Sequence, residues 1–459
     1  MDDERDAADA VAAQDSTASQ AVDTARACLR AGIEAAEPAI VVSSTLALDG
    51  NMLTVGDATH DLGAFNRVIV VGGGKAGAGV ATALENLLGD RIDEGLVVCD
   101  ETDDDARIRR VRGGHPTPTA AGVEATRAVE RLVADADEET LVLAVVTGGA
   151  SAMLAAPVEA VDLAALRETT DALVRSGASI DEINAVRKHL SRVKGGRLAA
   201  TAAPATVVTL AFSDVVGDDC SVIGSGPTAP DESTYADALD VLDRYDLDVP
   251  GAVRDYLTRG AAGAEAETPG PDDPVFDRGS VHVLASAHTA LTAAAETARD
   301  RGYEPMLLSA RIRGEAREVG RTHAAIAEEL ADSGNPVDPP AVVISGGETT
   351  VTVRGDGNGG PNLECALAAA VEFADGRSPV QGADCAFLAA DTDGNDGGTD
   401  HAGAVVTPET VADAAAARSA LGDNDALGAF TGSDWLVTTD ATGTNVNDFR
   451  IVVVEGSVD

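Results

Sequence analysis

The chain has 459 residues, with 77 Asp or Glu against 33 Lys or Arg, so its formal charge is −44 and its pI is near 4.2. With 44% hydrophobic residues it is too apolar for an acidic disordered tail, and its length suggests about two or three domains with large cores. So negative a surface repels nucleic-acid backbones and anionic membranes, which excludes both as expected partners.

Lysine is nearly absent: only Lys75, Lys188 and Lys194 occur, and the other 30 cations are arginine. Together with 3% aromatic residues, this reads as a carboxylate-covered protein that stays soluble in concentrated salt, in a high-salt cytoplasm. The opening MDDERDAADAVAAQDS is acidic where a secretory signal needs a basic start and an apolar stretch. No apolar run approaches the roughly 18 residues of a membrane span. The five cysteines, Cys28, Cys99, Cys220, Cys365 and Cys385, are scattered and odd in number, against a disulfide framework or a zinc site.

In chain order, residues 21–36 predict an amphipathic helix. From Arg67 short β-branched runs (RVIVV, GLVVCD, TLVLAVVT, ATVVTLAF) alternate with Ala-rich helical stretches, the pattern of βαβ units on a mainly parallel sheet. Residues 261–279, rich in Pro, Gly and acid, read as a linker or loop. Beyond it VHVLASAHTALTAAAETARDRGYEPMLLS predicts strand, helix, strand, and AVVISGG, TTVTVRG, AFLAAD, WLVTT and RIVVVEG predict crowded strands of a partly antiparallel sheet. The expected architecture is α/β with two domains: a Rossmann-like, mainly parallel N-terminal domain over 1–260 and a smaller mixed-sheet region over 280–459.

Three strands end in paired glycines, at VVGGGKAG (70–77), VVTGGAS (145–151) and VVISGGET (342–349). Glycine lets successive amides turn toward a ligand and form an anion-binding nest. In the first, Gly72, Gly74 and Gly77 fit the dinucleotide fingerprint, with Asp100 and Glu101 ending the next strand where a ribose-binding acid belongs. Lys75 inside that turn supports a rival reading, since an ammonium beside a helix N-terminus suits a reacting phosphoryl group. The other two lysines fall in DEINAVRKHLSRVKGGRLAA, where Arg187, Lys188, His189, Arg192, Lys194 and Arg197 cluster. Arg187 lines up with Ser191 and Lys194, and Lys194-Gly195-Gly196 is expected to end the helix. The cluster either complements the helix dipole or binds phosphates and a carboxylate. Asp214, just past a strand end, either accepts a proton from a substrate hydroxyl or caps a turn, and the turn GSGPTAP (224–230) can line the same crevice. AADTDGNDGGTD offers Asp391, Asp393 and Asp396; Ala402 at the twelfth position rejects an EF-hand, leaving turn-forming acids or a Mg²⁺-nucleotide site.

Taken in order, these stretches resemble the glycerate 2-kinases whose C-terminal part is called the MOFRL domain, expected here over about 335–455. The matching segments are GGGKAG (72–77), GGHPTP (113–118), TGGASAML (147–154), NAVRKHLSRVKGGRLA (184–199), SDVVGDDCSVIGSGPT (213–228), SGGETTV (345–351), DTDGNDG (391–397) and ATGTNVND (441–448). The resemblance implies two α/β domains with an active site in the cleft between them, and phosphorylation of D-glycerate to 2-phosphoglycerate by ATP with Mg²⁺. It also implies Lys75 as the catalytic lysine. In one respect the chain departs: where the family commonly carries an arginine in G-G-R-N-Q-E, this chain has GGPNLE (359–364), so Asn362 and Glu364 match and Pro361 replaces the arginine.

On this reading Lys75, Asp214 and Arg187 are catalytic. Substrate and nucleotide are held by Gly72, Gly73, Gly74, Gly77, His115, Gly148, Gly149, Ser151, Lys188, Lys194, Ser345, Gly346, Gly347, Glu348, Asn362 and Glu364. Asp391, Asp393 and Asp396 are the metal candidates, and a homodimer is left open. A hydroxypyruvate reductase using NADH or NADPH is the runner-up, and a non-catalytic small-molecule sensor the third reading.

Overall fold

A computed structural model describes residues 19–456; the acidic segment 1–16 lies outside the described residues. The chain divides into two compact units. One comprises residues 35–287 and 443–446; the other joins the described residues up to Glu34 to 288–442 and to those from Asn447 onward.

The core of the first unit is a six-stranded, wholly parallel sheet of β1 (Arg67–Gly73), β2 (Glu94–Cys99), β3 (Ile108–Arg112), β4 (Thr140–Thr147), β5 (Thr206–Phe212) and β6 (Gly279–Ala285). Its spatial order is β3-β2-β1-β4-β5-β6. All eight residues of β4, TLVLAVVT, are buried, as expected for a central parallel strand covered on both faces. The order reverses between β1 and β4, and at such a switch point the two following connections diverge to opposite faces and open a crevice at the strands' carboxyl ends. Helix α1 (Gly77–Leu88) follows β1, and the single turn α2 (Ala150–Met153) follows β4. Helix α3 (Ile180–His189) begins with a reciprocal capping box between Ser179 and Glu182, and α4 (Arg197–Ala202) leads into β5.

The second unit holds a mixed six-stranded sheet of β7 (Glu304–Glu315), β8 (Ala341–Thr350), β9 (Cys385–Asp391), β10 (Gly403–Val406), β11 (Leu436–Val437) and β12 (Asp448–Val454), in the order β7-β8-β12-β9-β10-β11. Only the β7–β8 pairing is parallel. Helices α5 (Ala316–Ser333) and α6 (Pro361–Phe373) pack with this sheet, and α6 is buried almost all round, matching its unbroken apolar run.

Four expectations need correction. The division falls at 287/288, not within 261–279, because β6 completes the first sheet by pairing with β5. The apparent strand–helix–strand unit after residue 279 is therefore not one βαβ unit: its strands β6 and β7 belong to different sheets. The predicted N-terminal helix forms, at Gln20–Ala35, but all of it up to Glu34 belongs with the C-terminal unit. AVVISGG and TTVTVRG are not two strands; β8 runs through both glycines to Thr350, held by β7 on one side and β12 on the other.

Candidate active site

The first glycine loop sits at the carboxyl end of β1, beside β4. A Cβ at Gly72 would stand 2.7 Å from the carbonyl carbon of Val145, and one at Gly74 2.5 Å from Thr147 O and 2.8 Å from Gly148 O. These glycines thus exist to let two adjacent strand ends touch. The loop amides are spent in doing so: Gly74 N–H donates to Val98 O (3.0 Å), Lys75 to Gly148 O (2.8 Å), Ala76 to Thr147 Oγ1 (3.2 Å) and Gly77 to Gly74 O (3.0 Å). Gly73, the last residue of β1, is likewise packed against Val98 of β2. The expectation of an anion nest at Gly72, Gly73, Gly74 and Gly77 is corrected accordingly. What the loop presents is the half-buried Lys75 side chain.

The second loop behaves differently. Gly149 takes a left-handed conformation (φ 80°) ahead of α2, and the amides of Gly149, Ala150 and Ser151 have no acceptor among the described residues. Bare Cα atoms here admit three side chains. A Cβ at Gly148 would stand 2.8 Å from Asp214 Cγ; one at Gly149 would stand 3.1 Å from both Lys75 Cγ and His115 Cδ2. Lys75, His115, Asp214 and the 148–151 backbone are therefore one constellation at the switch point, supplied by the ends of β1, β4 and β5 and by the loop after β3. Burial raises the Asp214 carboxyl above its ordinary value, offset in part by its own backbone amide and by the Lys75 charge. A carboxylate so poised, facing an ammonium and a row of N–H donors, can take a proton while anionic oxygens are held beside it.

The basic cluster separates into two groups. Lys188 forms a buried pair with Asp231 at 2.9 Å, the two side chains 7% and 1% exposed. His189 meets Glu267 at 3.0 Å, Arg192 lies 2.6 Å from Glu130, and Arg197 donates to Tyr235 Oη and Ala266 O. Lys188 is thus a structural ion pair, not a ligand: removing one partner of such a pair costs about 3–5 kcal/mol, because the other charge is left buried alone. Arg187 and Lys194 form the second group. Burial alone lowers the Arg187 pKa, with no carboxylate counter-charge, and burial together with the Arg187 charge pushes Lys194 down to about 7. The nearest acceptor of Lys194 Nζ is the Gly224 carbonyl at 3.5 Å. The helix ends at His189, earlier than the predicted stop at Lys194-Gly195-Gly196, and the irregular link after it lets Lys194 reach the 224–225 turn.

In the second unit most of the expected ligands are structural. Ser345 is fully buried and donates to His323 Nε2 at 2.8 Å, while His323 Nδ1 donates to Val319 O. Ser345, Gly346 and Gly347 lie inside β8, in register with Arg450, Phe449 and Asp448 of β12, so they form a ladder and not a nest; Glu348 alone of that motif is exposed. Glu364 accepts from Arg317 Nε (2.8 Å) and Asn424 Nδ2 (3.0 Å). Asn362 donates through Nδ2 to Asp448 Oδ1 at 2.7 Å. Asp396 accepts the Asn362 and Leu363 amides at 3.0 and 2.8 Å, so it caps α6. Asp391 accepts the Asp393 amide, and Asp393 the Asn395 amide, each at 2.9 Å. No group of three or more His, Cys, Asp or Glu among the described residues is arranged to hold a metal ion.

Two family descriptions match the chain: "Domain of unknown function (DUF4147)" over residues 24–258 and "MOFRL family" over 341–448. A Thermotoga maritima protein named D-glycerate 2-kinase is 38% identical over 85% of this chain and 91% of its own length. The chain belongs to the glycerate 2-kinase family with a C-terminal MOFRL domain. A Pyrococcus horikoshii protein named glycerate 2-kinase is 35% identical over 92% of this chain and 94% of its own. The crystal structure of a Thermotoga maritima glycerate kinase superposes with a TM-score of 0.80 at 35% identity, covering 94% of this chain and 99% of that one. An Agrobacterium vitis relative, provisionally named a hydroxypyruvate reductase, is 41% identical over 85% of this chain and the whole of its own.

Within this glycerate 2-kinase family member, Pro361 occupies the first turn of α6, behind Gly360 as N-cap, a position where proline's missing N–H costs nothing. Arg354, in the segment before α6, is exposed, and its backbone amide donates to Asn424 Oδ1. Asn184, which sequence reasoning missed, is 2% exposed and accepts a hydrogen bond from Ser225 Oγ at 2.9 Å, while its Nδ2 has no partner among the described residues. The available signal was its place three residues before Arg187 on one helical face.

Proposed function

We propose that this chain transfers the γ-phosphoryl group of ATP, supplied as its magnesium complex, to the 2-hydroxyl of D-glycerate. The observation that carries the reading is the meeting of Lys75, Asp214 and the open 149–151 amides at the switch point of the first sheet. In the in-line reaction the 2-hydroxyl oxygen bonds to the γ-phosphorus, the bond from that phosphorus to the βγ-bridging oxygen breaks, and ADP departs. Asp214 receives the hydroxyl proton. Lys75 and the 149–151 amides face the charge that spreads over the transferring oxygens, and His115 packs against Gly149 at the rim.

Names of relatives favour the kinase, and the first loop weighs against the reductase. A dinucleotide cradle needs amides free to meet a pyrophosphate, whereas Gly74, Lys75, Ala76 and Gly77 donate within the protein. Among the described residues no helix is long and apolar enough to cross a membrane. The charge and the scarcity of lysine favour a cytoplasm rich in salt, and a homodimer is the assembly proposed.

The deciding assay uses purified protein in molar KCl with D-glycerate and Mg·ATP, and in parallel with hydroxypyruvate and NADH or NADPH. Formation of 2-phosphoglycerate supports the kinase; oxidation of the nicotinamide without it supports the reductase. Silence in both would sink the two enzymatic readings.

A further inference from the structure

The fold treats two neighbouring cations in opposite ways. Lys188 receives Asp231, whereas Arg187, one residue earlier, receives no carboxylate among the described residues of a strongly acidic chain. Lys194 is 5% exposed, among the described residues donates only to the Gly224 carbonyl, and feels the Arg187 charge. Like charges held together in a desolvated place are unfavourable unless something of opposite sign joins them.

A third donor points the same way. Ser225 Oγ donates to Asn184 Oδ1 at 2.9 Å and lies 2.9 Å from Ser151 Oγ, so the serine pair holds the Asn184 side chain in place. That leaves Asn184 Nδ2 buried and, among the described residues, unpartnered, an unusual expense for a native core. Asn184 and Lys194 both meet the 224–225 turn, through Ser225 and the Gly224 carbonyl, and Arg187 stands at i+3 from Asn184 on α3 with its charge acting on Lys194. An amide, a guanidinium and an ammonium are thus gathered with the Gly224 carbonyl as a distant acceptor and, among the described residues, no carboxylate paired with them.

We propose that Asn184, Arg187 and Lys194 form the subsite that takes the carboxylate of a small hydroxy-acid acceptor, with Ser225 as the positioning residue that holds the Asn184 side chain. A planar carboxylate suits a guanidinium fork plus one further donor. Burial favours the small ligand: Asn184 and Lys194 are 2% and 5% exposed, an approach too narrow for a hydrated Mg·triphosphate, which needs an open one. The inference deepens the glycerate kinase reading and rests on it for the identity of the acid.

The test uses the full chain in molar KCl, with Asn184→Ala, Lys194→Met and Lys194→Arg, each checked for folding by circular dichroism. Asn184→Ala and Lys194→Met should raise KM for D-glycerate by about tenfold or more while KM for Mg·ATP stays within about twofold, the loss expected of a hydrogen bond to a charged group. Lys194→Arg, which keeps the charge, should recover part of it. A rise in KM for Mg·ATP instead would assign the site to the donor's phosphates and overturn the proposal, as would unchanged constants. If the wild type phosphorylates nothing, calorimetric binding of D-glycerate separates the questions. Loss of binding in folded Asn184→Ala would uphold the subsite although the kinase reading had failed; equal binding would overturn it.

Discussion

Asp214 lies against the bare Cα of Gly148: a Cβ at that glycine would stand 2.8 Å from the carboxyl carbon. The proposed base and the loop whose amides face the substrate therefore fix each other's position. Gly148→Ala must push the carboxylate aside, and displacement of a catalytic group by about 1 Å can cost about 10²-fold in rate. The expected outcome is a kcat lower by about that factor with an unchanged sheet core, read by steady-state kinetics and a melting curve. Wild-type turnover in this variant would remove Asp214 as a positioned base.

Lys75 makes its case through packing as well as charge. Its Cγ lies along Gly149, where a Cβ would be 3.1 Å away, so the ammonium leaves the loop in a defined direction. Lys75→Met should lower kcat by about 10²–10³-fold, the range found for removal of one donor to a developing oxyanion. Lys75→Arg should recover little, because the bulkier fork has to pass the same glycine. Single-turnover measurements with saturating D-glycerate and Mg·ATP distinguish loss of chemistry from loss of binding.

The parallel sheet was readable in the sequence because its strands are buried on both faces and so appear as unbroken runs such as TLVLAVVT, while Lys75 and Asp214 declared themselves by standing just past such runs. The glycine pairs were less legible, since one signature serves three purposes. At 72–74 it lets strands touch, at 148–149 it admits side chains, and at 346–347 it sits inside a ladder. Which applies depends on neighbours distant in the chain. The same holds for the basic cluster: nothing local tells Lys188 from Arg187, and only Asp231, 43 residues beyond Lys188, separates structural cation from available one. Asn184 escaped notice because a lone asparagine in a helix is unremarkable until its partners are known.

The two buried titrating groups predict a bell-shaped dependence of kcat/KM for D-glycerate on pH. Asp214 must be ionised to accept a proton, and because burial raises its pKa, the acid limb should fall above the ordinary carboxylate value of 3.8. Lys194 must be protonated to attract the acceptor, and its pKa is lowered to about 7, so the alkaline limb should begin near neutrality. In kcat, which reports the loaded enzyme, the alkaline limb should move upward, since a bound carboxylate favours the ammonium. Lys194→Arg should abolish that limb and leave the acid one; Asp214→Asn should lower the rate by about 10²–10⁴-fold and flatten the acid side. An alkaline limb that survives Lys194→Arg would assign it to another group.

The last prediction concerns the charge itself. At −44 the folded chain repels itself, and the repulsion is felt over the Debye length, about 10 Å at 0.1 M salt and about 3 Å at 1 M. Several of the surface ion pairs, such as Arg107 with Asp90 and Arg254 with Asp243, are exposed and offset little of it. Melting temperature should therefore climb steeply from dilute buffer toward molar KCl, even though each surface ion pair weakens over the same range. The screening contribution should approach a plateau once the Debye length is shorter than the spacing of neighbouring carboxylates; a further rise beyond it would mark salt-strengthened burial of apolar surface. Circular dichroism melts in KCl and in an equal ionic strength of NaCl separate general screening, which treats the two alike, from specific binding of potassium. A melting temperature that is already maximal in dilute buffer would show that the acidic surface is not an adaptation to salt.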